Sequence, residues 1–159
     1  MKAKRIRQIL LGICTLLWIL FIFSNSMKSG AESGADSSSV TNWLNDSVGS
    51  IFPSFHITGL FVRKTAHFLE FSILSLLFSL DLSLFFSLNR SASLGKRCLL
   101  LLAIPASAAV ATADEIIQCF SPDRGPSVTD VLLDTAGASC ACLIFFGILC
   151  LLSAKRSKS

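Results

Sequence analysis

The chain has 159 residues, 52% of them hydrophobic and only 15% charged, with a mean hydropathy of +0.68. Soluble domains carry about 25% charged residues, so this composition excludes a water-soluble globule, a disordered chain, a collagen and a coiled coil. The length suits one domain, residues 1–159, and the formal charge of +4 matters less than its placement.

A helix that crosses a bilayer needs about 20 mostly apolar residues. The first candidate covers residues 9–23 and follows the basic run Lys2, Lys4, Arg5, Arg7. A basic leader before a short apolar stretch also fits a cleavable signal peptide. Large aromatics continue to Phe23, however, and Ser24-Asn25-Ser26 is a poor cleavage site, so an uncleaved anchor is expected. Residues 24–60 read as a loop. Its Ser/Gly-rich start (SNSMKSGAESGADSSS) cannot bury a core and is expected to be mobile. Val40, Trp43, Leu44, Val48 and Ile51 then recur near helical spacing. A short interfacial helix and a loosely packed loop both fit that pattern.

The second span covers residues 66–88, the third 98–120 and the fourth 131–152. Pro105 should bend the third, a distortion that neighbouring helices tolerate. The six cysteines form no C-x-x-C pair and fall mostly within apolar segments, so they read as small hydrophobic filler. The fold class is therefore all-α, an integral membrane four-helix bundle. Lys and Arg concentrate in the N-terminal tail, in the loop holding Arg90, Lys96 and Arg97, and in the tail holding Lys155, Arg156 and Lys158. Basic residues accumulate on the cytoplasmic side, which places both termini there in a multi-pass cell-membrane protein.

Charged side chains within apolar helices cost about 2.5–3.5 kcal/mol each at the bilayer centre and mark functional or pairing roles. Three spans place carboxylates at a similar depth near the outer face. Arg63, His67 and Glu70 follow i, i+4, i+7, one stripe of a helix. Asp114 and Gln118 are four apart, with Glu115 beside them; Asp130 and Asp134 are four apart, and the small residues Gly137 and Ala141 continue their face. Small residues let helices approach closely in lipid, so the stripes are expected to face one another. The turn SPDRGPS between the third and fourth spans should hold Arg124 over the cluster, with Ser127 or Thr129 capping the next helix. Five acids then face at most three permanent cations. That excess suits a metal, a cationic ligand group or proton chemistry; a salt-bridge network that fixes helix packing remains the alternative. Asp81, deeper in the second span, is expected to pair with Arg90 or Arg97 or to snorkel.

The combination Arg63-Lys64-x-x-His67-x-x-Glu70-Phe71, then Asp114-Glu115-x-x-Gln118-x-Phe120-x-x-x-Arg124, then Asp130-Val131-x-x-Asp134-x-x-Gly137 resembles the VanZ-like family. The likeness covers nearly the whole chain and includes a first helix ending in Phe23-Ser24. Phe71 stands where that family often has Tyr, and Asp134 where it often has Asn. The resemblance implies a small membrane protein of bacterial envelopes, in a family named for a protein associated with teicoplanin resistance. It implies no particular reaction.

Three classes of function fit. The first is a membrane enzyme acting at the outer leaflet on a lipid headgroup or a lipid-linked, phosphate-bearing cell-wall intermediate. His67 or Glu70 would be its acid or base, and Asp114, Glu115 and Asp130 its ion or proton site. Arg63 and Arg124 would clamp phosphate, with Lys64 and Gln118 beside them. The second is a non-enzymatic envelope-organising protein, and the third a small proton-coupled transporter. The residues name no cofactor; an oxygen-rich site suits Mg²⁺ or Mn²⁺ better than zinc. The partners expected are the lipid bilayer and such an envelope substrate, not nucleic acid. The orientation is testable with single-cysteine variants and an impermeant thiol reagent on intact cells. Positions 37 and 127 should be labelled and position 93 spared; labelling at 93 alone would invert the topology.

Overall fold

The computed structural model describes residues 2–49, 56–87 and 93–157, and those residues are helical throughout their regular structure. In chain order the helices are α1 (Lys2–Ser26), α2 (Gly30–Gly49), α3 (Gly59–Phe85), α4 (Leu94–Arg97), α5 (Ala103–Gln118) and α6 (Val128–Ser157). A tighter 3₁₀ stretch, Cys98–Leu102, joins α4 to α5. Four helical runs are long and apolar enough to cross a membrane: α1, α3, the composite Leu94–Gln118, and α6 over Val128–Lys155. The all-α, four-span architecture expected from the sequence is present.

The third span shows how a proline is accommodated. Pro105 has no N–H to donate, and its ring crowds the carbonyl four residues earlier, at Leu101. The chain upstream is wound as 3₁₀ over Cys98–Leu102 before regular α-helix begins. The bend expected at Pro105 thus takes the form of a change in winding.

The segment expected to be mobile is instead a helix, α2. Ser29 and Glu32 form a reciprocal cap at its start: the Ser29 N–H donates to Glu32 Oε2 (2.9 Å) and the Glu32 N–H donates to Ser29 Oγ (3.2 Å). The Ser29 N–H and the Ser29 hydroxyl (2.8 Å), both donating to Glu32 Oε2, hold the Glu32 carboxyl below its usual pKa range. Hydroxyls that could compete with the helix bond back into it, Ser37 to the Ser33 carbonyl (2.8 Å) and Thr41 to that of Ser37 (2.6 Å). Gly30 also donates its N–H to the Pro122 carbonyl (2.9 Å), and a Cβ there would sit 2.6 Å from the Asp123 carbonyl oxygen. Only glycine lets α2 start against the α5–α6 turn. Of the apolar residues singled out for the amphipathic pattern, Val40 and Trp43 are exposed, and Ile51 lies outside the described residues.

In lipid, apolar side chains gain little by leaving one helix surface for another, so packing and close backbone approach must hold the bundle. Its outside is apolar, with Leu17, Leu69, Ile73, Leu132 and Ile144 exposed. Its inside combines Ile22, Phe71, Leu74 and Ala111 with a row of small residues, Ser75, Ser79, Ser107 and Ala138. The most extensive helix contact is α3 against α6. There a Cβ on Gly137 would overlap the Phe68 carbonyl oxygen, and Ser72 Oγ donates to the Gly137 carbonyl (3.0 Å).

Asp81 is satisfied differently from the expectation: Thr15 Oγ1, on α1, lies 2.7 Å from Asp81 Oδ2 as donor. Arg97 donates to Ser153 Oγ (2.7 Å), and Arg90 lies outside the described residues. A neutral hydroxyl on the adjacent helix meets the carboxylate without a second buried charge. The six cysteines are free thiols; Cys142 is buried and Cys140 exposed, as two positions two apart on a helix require.

The α3–α6 contact generates a direct test. Gly137→Ala should destabilise the protein by about 1–3 kcal/mol, the usual cost of overpacking, because backbone and not a flexible side chain must move. Gly147→Ala, with nothing within 4 Å of the added Cβ, should leave thermal unfolding in detergent unchanged or slightly raised. Equal melting of the two variants would show that close approach at Gly137 is dispensable.

Candidate functional site

At the end of the bundle where α1 stops and α3 and α6 begin, a cavity of about 210 Å³ opens between α1, α2 and α3. Asn25, Lys28, Arg63, His67, Glu70 and Arg124 are among its lining residues. A larger groove of about 1080 Å³ lies near the other end, with Lys2, Lys4 and Arg5 at its margin. Its walls are apolar (Ile9, Phe78, Leu82, Phe85), and its one acid, Asp81, is already bonded by Thr15. The convergent polar chemistry therefore sits at the smaller cavity.

His67 is half-buried at this cavity and turns Nδ1 toward α6, 3.9 Å from Asp134 Oδ2. That separation is too long for a hydrogen bond, and Nδ1 finds no partner elsewhere among the described residues. Asp134 is fully buried, and neither carboxylate oxygen accepts a hydrogen bond from the described residues. Asp114 is also fully buried, but one of its oxygens is well held. Ser26 Oγ donates to Oδ2 (2.7 Å), as does Gln118 Nε2 (3.0 Å), while Oδ1 has no partner. One ligand atom each from His67, Asp114 and Asp134 lies within 4.8 Å of the other two. Glu115 accepts a bond from the Ser127 N–H at Oε2 (2.7 Å), which ties α5 to the start of α6 and leaves Oε1 unpartnered.

Glu70 accepts from Asn25 Nδ2 (2.9 Å), and Trp18 Nε1 donates to the Glu70 carbonyl (3.0 Å), so α1 fixes this turn of α3. Glu70 also lies within electrostatic reach of Asp114. The expected cluster joined His67 and Glu70 to Asp114, Glu115, Arg124 and Asp130; in the fold one ligand atom each from His67, Asp114 and Asp134 comes together, and Glu115, like Glu70, lies within electrostatic reach of Asp114.

The cations are distributed differently from the expectation. Lys64 Nζ forms an ion pair with Asp130 Oδ1 at 2.7 Å, at the rim and half-exposed, so these two residues brace α3 against α6. Arg124 lies within electrostatic reach of Asp114, Glu115 and Asp130, but its hydrogen bonds go elsewhere: Nη1 donates to the carbonyls of Ser26 (3.0 Å) and Asn25 (3.5 Å), and Nη2 to Ser33 Oγ (3.2 Å). Cations suit helix C-termini, where carbonyls lack intrahelical donors. Arg124 thus caps α1 and pins α2 while its charge stays unneutralised by any carboxylate contact among the described residues. Burial and neighbouring Arg63 lower its pKa from the usual value, yet a guanidinium stays charged. The turn holding it reverses through Asp123, which adopts the left-handed conformation at φ 57°, while Gly125 does not. A short polar side chain tolerates that conformation. Ser127 caps α6, with Oγ accepting from the Asp130 N–H (3.3 Å).

Asn25 and Ser26 were not legible as site residues from the sequence. Two polar residues just past an apolar run read as the start of a loop; the usable signal was that α1 ends in polar residues able to reach other helices. Removing these bonds should be measurable. Ser26→Ala and Asn25→Ala should each cost about 1–3 kcal/mol, the penalty for an abandoned buried acceptor. Ser24→Ala, whose hydroxyl bonds only to its own helix at the exposed Phe21 carbonyl, should not move the unfolding midpoint in detergent.

Neither a curated protein nor a solved structure matches the chain significantly. The sequence profile of the VanZ/LLP1 family matches residues 11–152, a span that takes in α3 and α5 whole, most of α1 and α6, and every residue of the cluster. The chain belongs to the VanZ/LLP1 family.

Proposed function

We propose that this VanZ-like envelope protein acts at the outer leaflet on the phosphate-bearing headgroup of a lipid or lipid-linked cell-wall intermediate, and so lowers susceptibility to glycopeptides such as teicoplanin. The observation that carries the reading is the cavity itself: Arg63, Lys28 and Arg124 line its walls, and His67 and Glu70 lie among them. Lys28 is paired with Asp36 at 2.8 Å. Arg124 spends its donors on carbonyls and keeps its charge, and Arg63 is the cation best free to grip an anion in bidentate fashion. Arg124 then contributes field and shape, with Lys64, Asp130 and Gln118 as supports.

His67 and Glu70 are the acid–base groups of this reading, with Asp114 and Glu115 behind them. A headgroup phosphate at Arg63 would lie beside His67, one helical turn further along the same face of α3. The order of residues along the helices argues against a transporter. Phe71, Leu74 and Ala111 are fully buried and separate the cavity end from Asp81, so the acids do not continue through the bundle as a proton path would.

Arg63→Gln and His67→Gln, expressed at wild-type membrane abundance, should each return teicoplanin susceptibility to that of cells lacking the protein. Lys64→Gln, which touches only the rim pair, should keep most of the protection. Full protection by both Arg63→Gln and His67→Gln would overturn the reading.

A further inference from the structure

We infer that His67 Nδ1, Asp114 Oδ1 and Asp134 form a three-ligand site for one divalent first-row transition ion, of the zinc or manganese class, within the bundle. The site stands whatever occupies the cavity, because helix packing leaves several buried polar atoms without a hydrogen-bond partner among the described residues. In lipid no bulk water can satisfy a buried carboxylate, so each unpartnered oxygen is costly. Here both oxygens of the fully buried Asp134, one of the fully buried Asp114 and the nitrogen of His67 that faces them have no hydrogen-bond partner among the described residues. One ligand atom each from His67, Asp114 and Asp134 lies within 4.8 Å of the other two.

The spacing fits an ion better than a proton. Nδ1 and Oδ2 are 3.9 Å apart, beyond direct hydrogen bonding. Two atoms bound to one ion at about 2.0–2.2 Å each sit roughly 3 to 4.4 Å apart, according to the angle between them. The charges also close, since two carboxylates and a divalent ion form a neutral set, the arrangement least costly in a low-dielectric interior.

The surroundings hold the ligands as a metal site requires. Outer-shell hydrogen bonds normally orient ligating side chains, and Ser26 and Gln118 both bond Asp114 Oδ2, leaving Oδ1 without a partner among the described residues. Ser26 is itself held, its carbonyl accepting from Ser121 Oγ (2.9 Å) and Arg124 Nη1 (3.0 Å). An imidazole among the ligands favours zinc, manganese or iron over magnesium and calcium, which prefer all-oxygen sets. Three protein ligands leave a coordination position for water or a ligand oxygen, as in catalytic and not structural zinc sites. His67 borders the cavity, so that position is reachable from it.

The test uses the full-length protein purified in detergent, equilibrated with Zn²⁺ and freed of excess by gel filtration, with metal content read by mass spectrometry. Wild type should retain one zinc per chain, and Co²⁺ in its place should give visible d–d bands. Asp134→Asn, nearly isosteric, and His67→Gln should lose the ion, while Asp36→Asn, at an exposed acid, should retain it. Ser26→Ala should weaken affinity by about 10- to 100-fold, the usual effect of removing an outer-shell partner. Wild type without bound zinc, or Asp134→Asn with wild-type content, would overturn the site. Displacement of zinc by equimolar Mg²⁺ would overturn its assignment to the transition-ion class. None of these readouts involves glycopeptide susceptibility, so failure here and failure of the headgroup reading are separate outcomes.

Discussion

The close crossing of α3 and α6 at Gly137 is the contact on which the rest of the bundle depends. Two apolar helices in lipid have no solvent-driven reason to associate, so the approach must come from small residues, dispersion and a few polar bonds. Gly137 removes the side chain that would overlap the Phe68 carbonyl, and Ser72 then bonds across to Gly137. His67 immediately precedes Phe68, and Asp134 stands three residues before Gly137. Packing that brings these backbones together therefore brings His67 Nδ1 within 3.9 Å of Asp134. The proposed site is in this sense a product of the packing contact.

A second constraint closes the same end of the bundle. α1 ends at Ser26 with carbonyls that its own helix cannot satisfy, and Arg124 and Ser121 supply the missing donors. The α5–α6 turn also receives the start of α2, where Gly30 meets Pro122 and Asp123. One turn thus fastens α1, α2 and α6 over the buried acids. Arg124 does this while keeping its charge unpaired by carboxylate, which lets one residue serve both as cap and as part of the cavity's field.

The span count and the helical class were legible because they depend on local periodicity and hydropathy. Residues four apart share a helix face wherever that helix goes, and Asp114 and Gln118 now make that very contact. What was not legible depended on partners distant in sequence. The Ser/Gly-rich stretch looked mobile because no window shows that Ser29 and Glu32 cap one another or that Gly30 docks on Pro122. The rigid turn was expected to hold Arg124 over the acids, and Asp114, Glu115 and Asp130 lie within its electrostatic reach; that its donors go to the carbonyls of Asn25 and Ser26 depends on where α1 ends. Asp81 found Thr15 on α1, a partner 66 residues away that no local window shows. The third ligand of the proposed ion site, Asp134, was placed in the cluster by spacing, but its lack of a hydrogen-bond partner among the described residues is a property of the packed interior.

Zinc anomalous scattering from crystals of the metal-equilibrated protein would test the account most directly. The account predicts one anomalous peak between α3, α5 and α6, bonded to His67, Asp114 and Asp134. A peak confined to exposed acids such as Asp36, or His67 and Asp134 facing away from each other across the bundle, would contradict it.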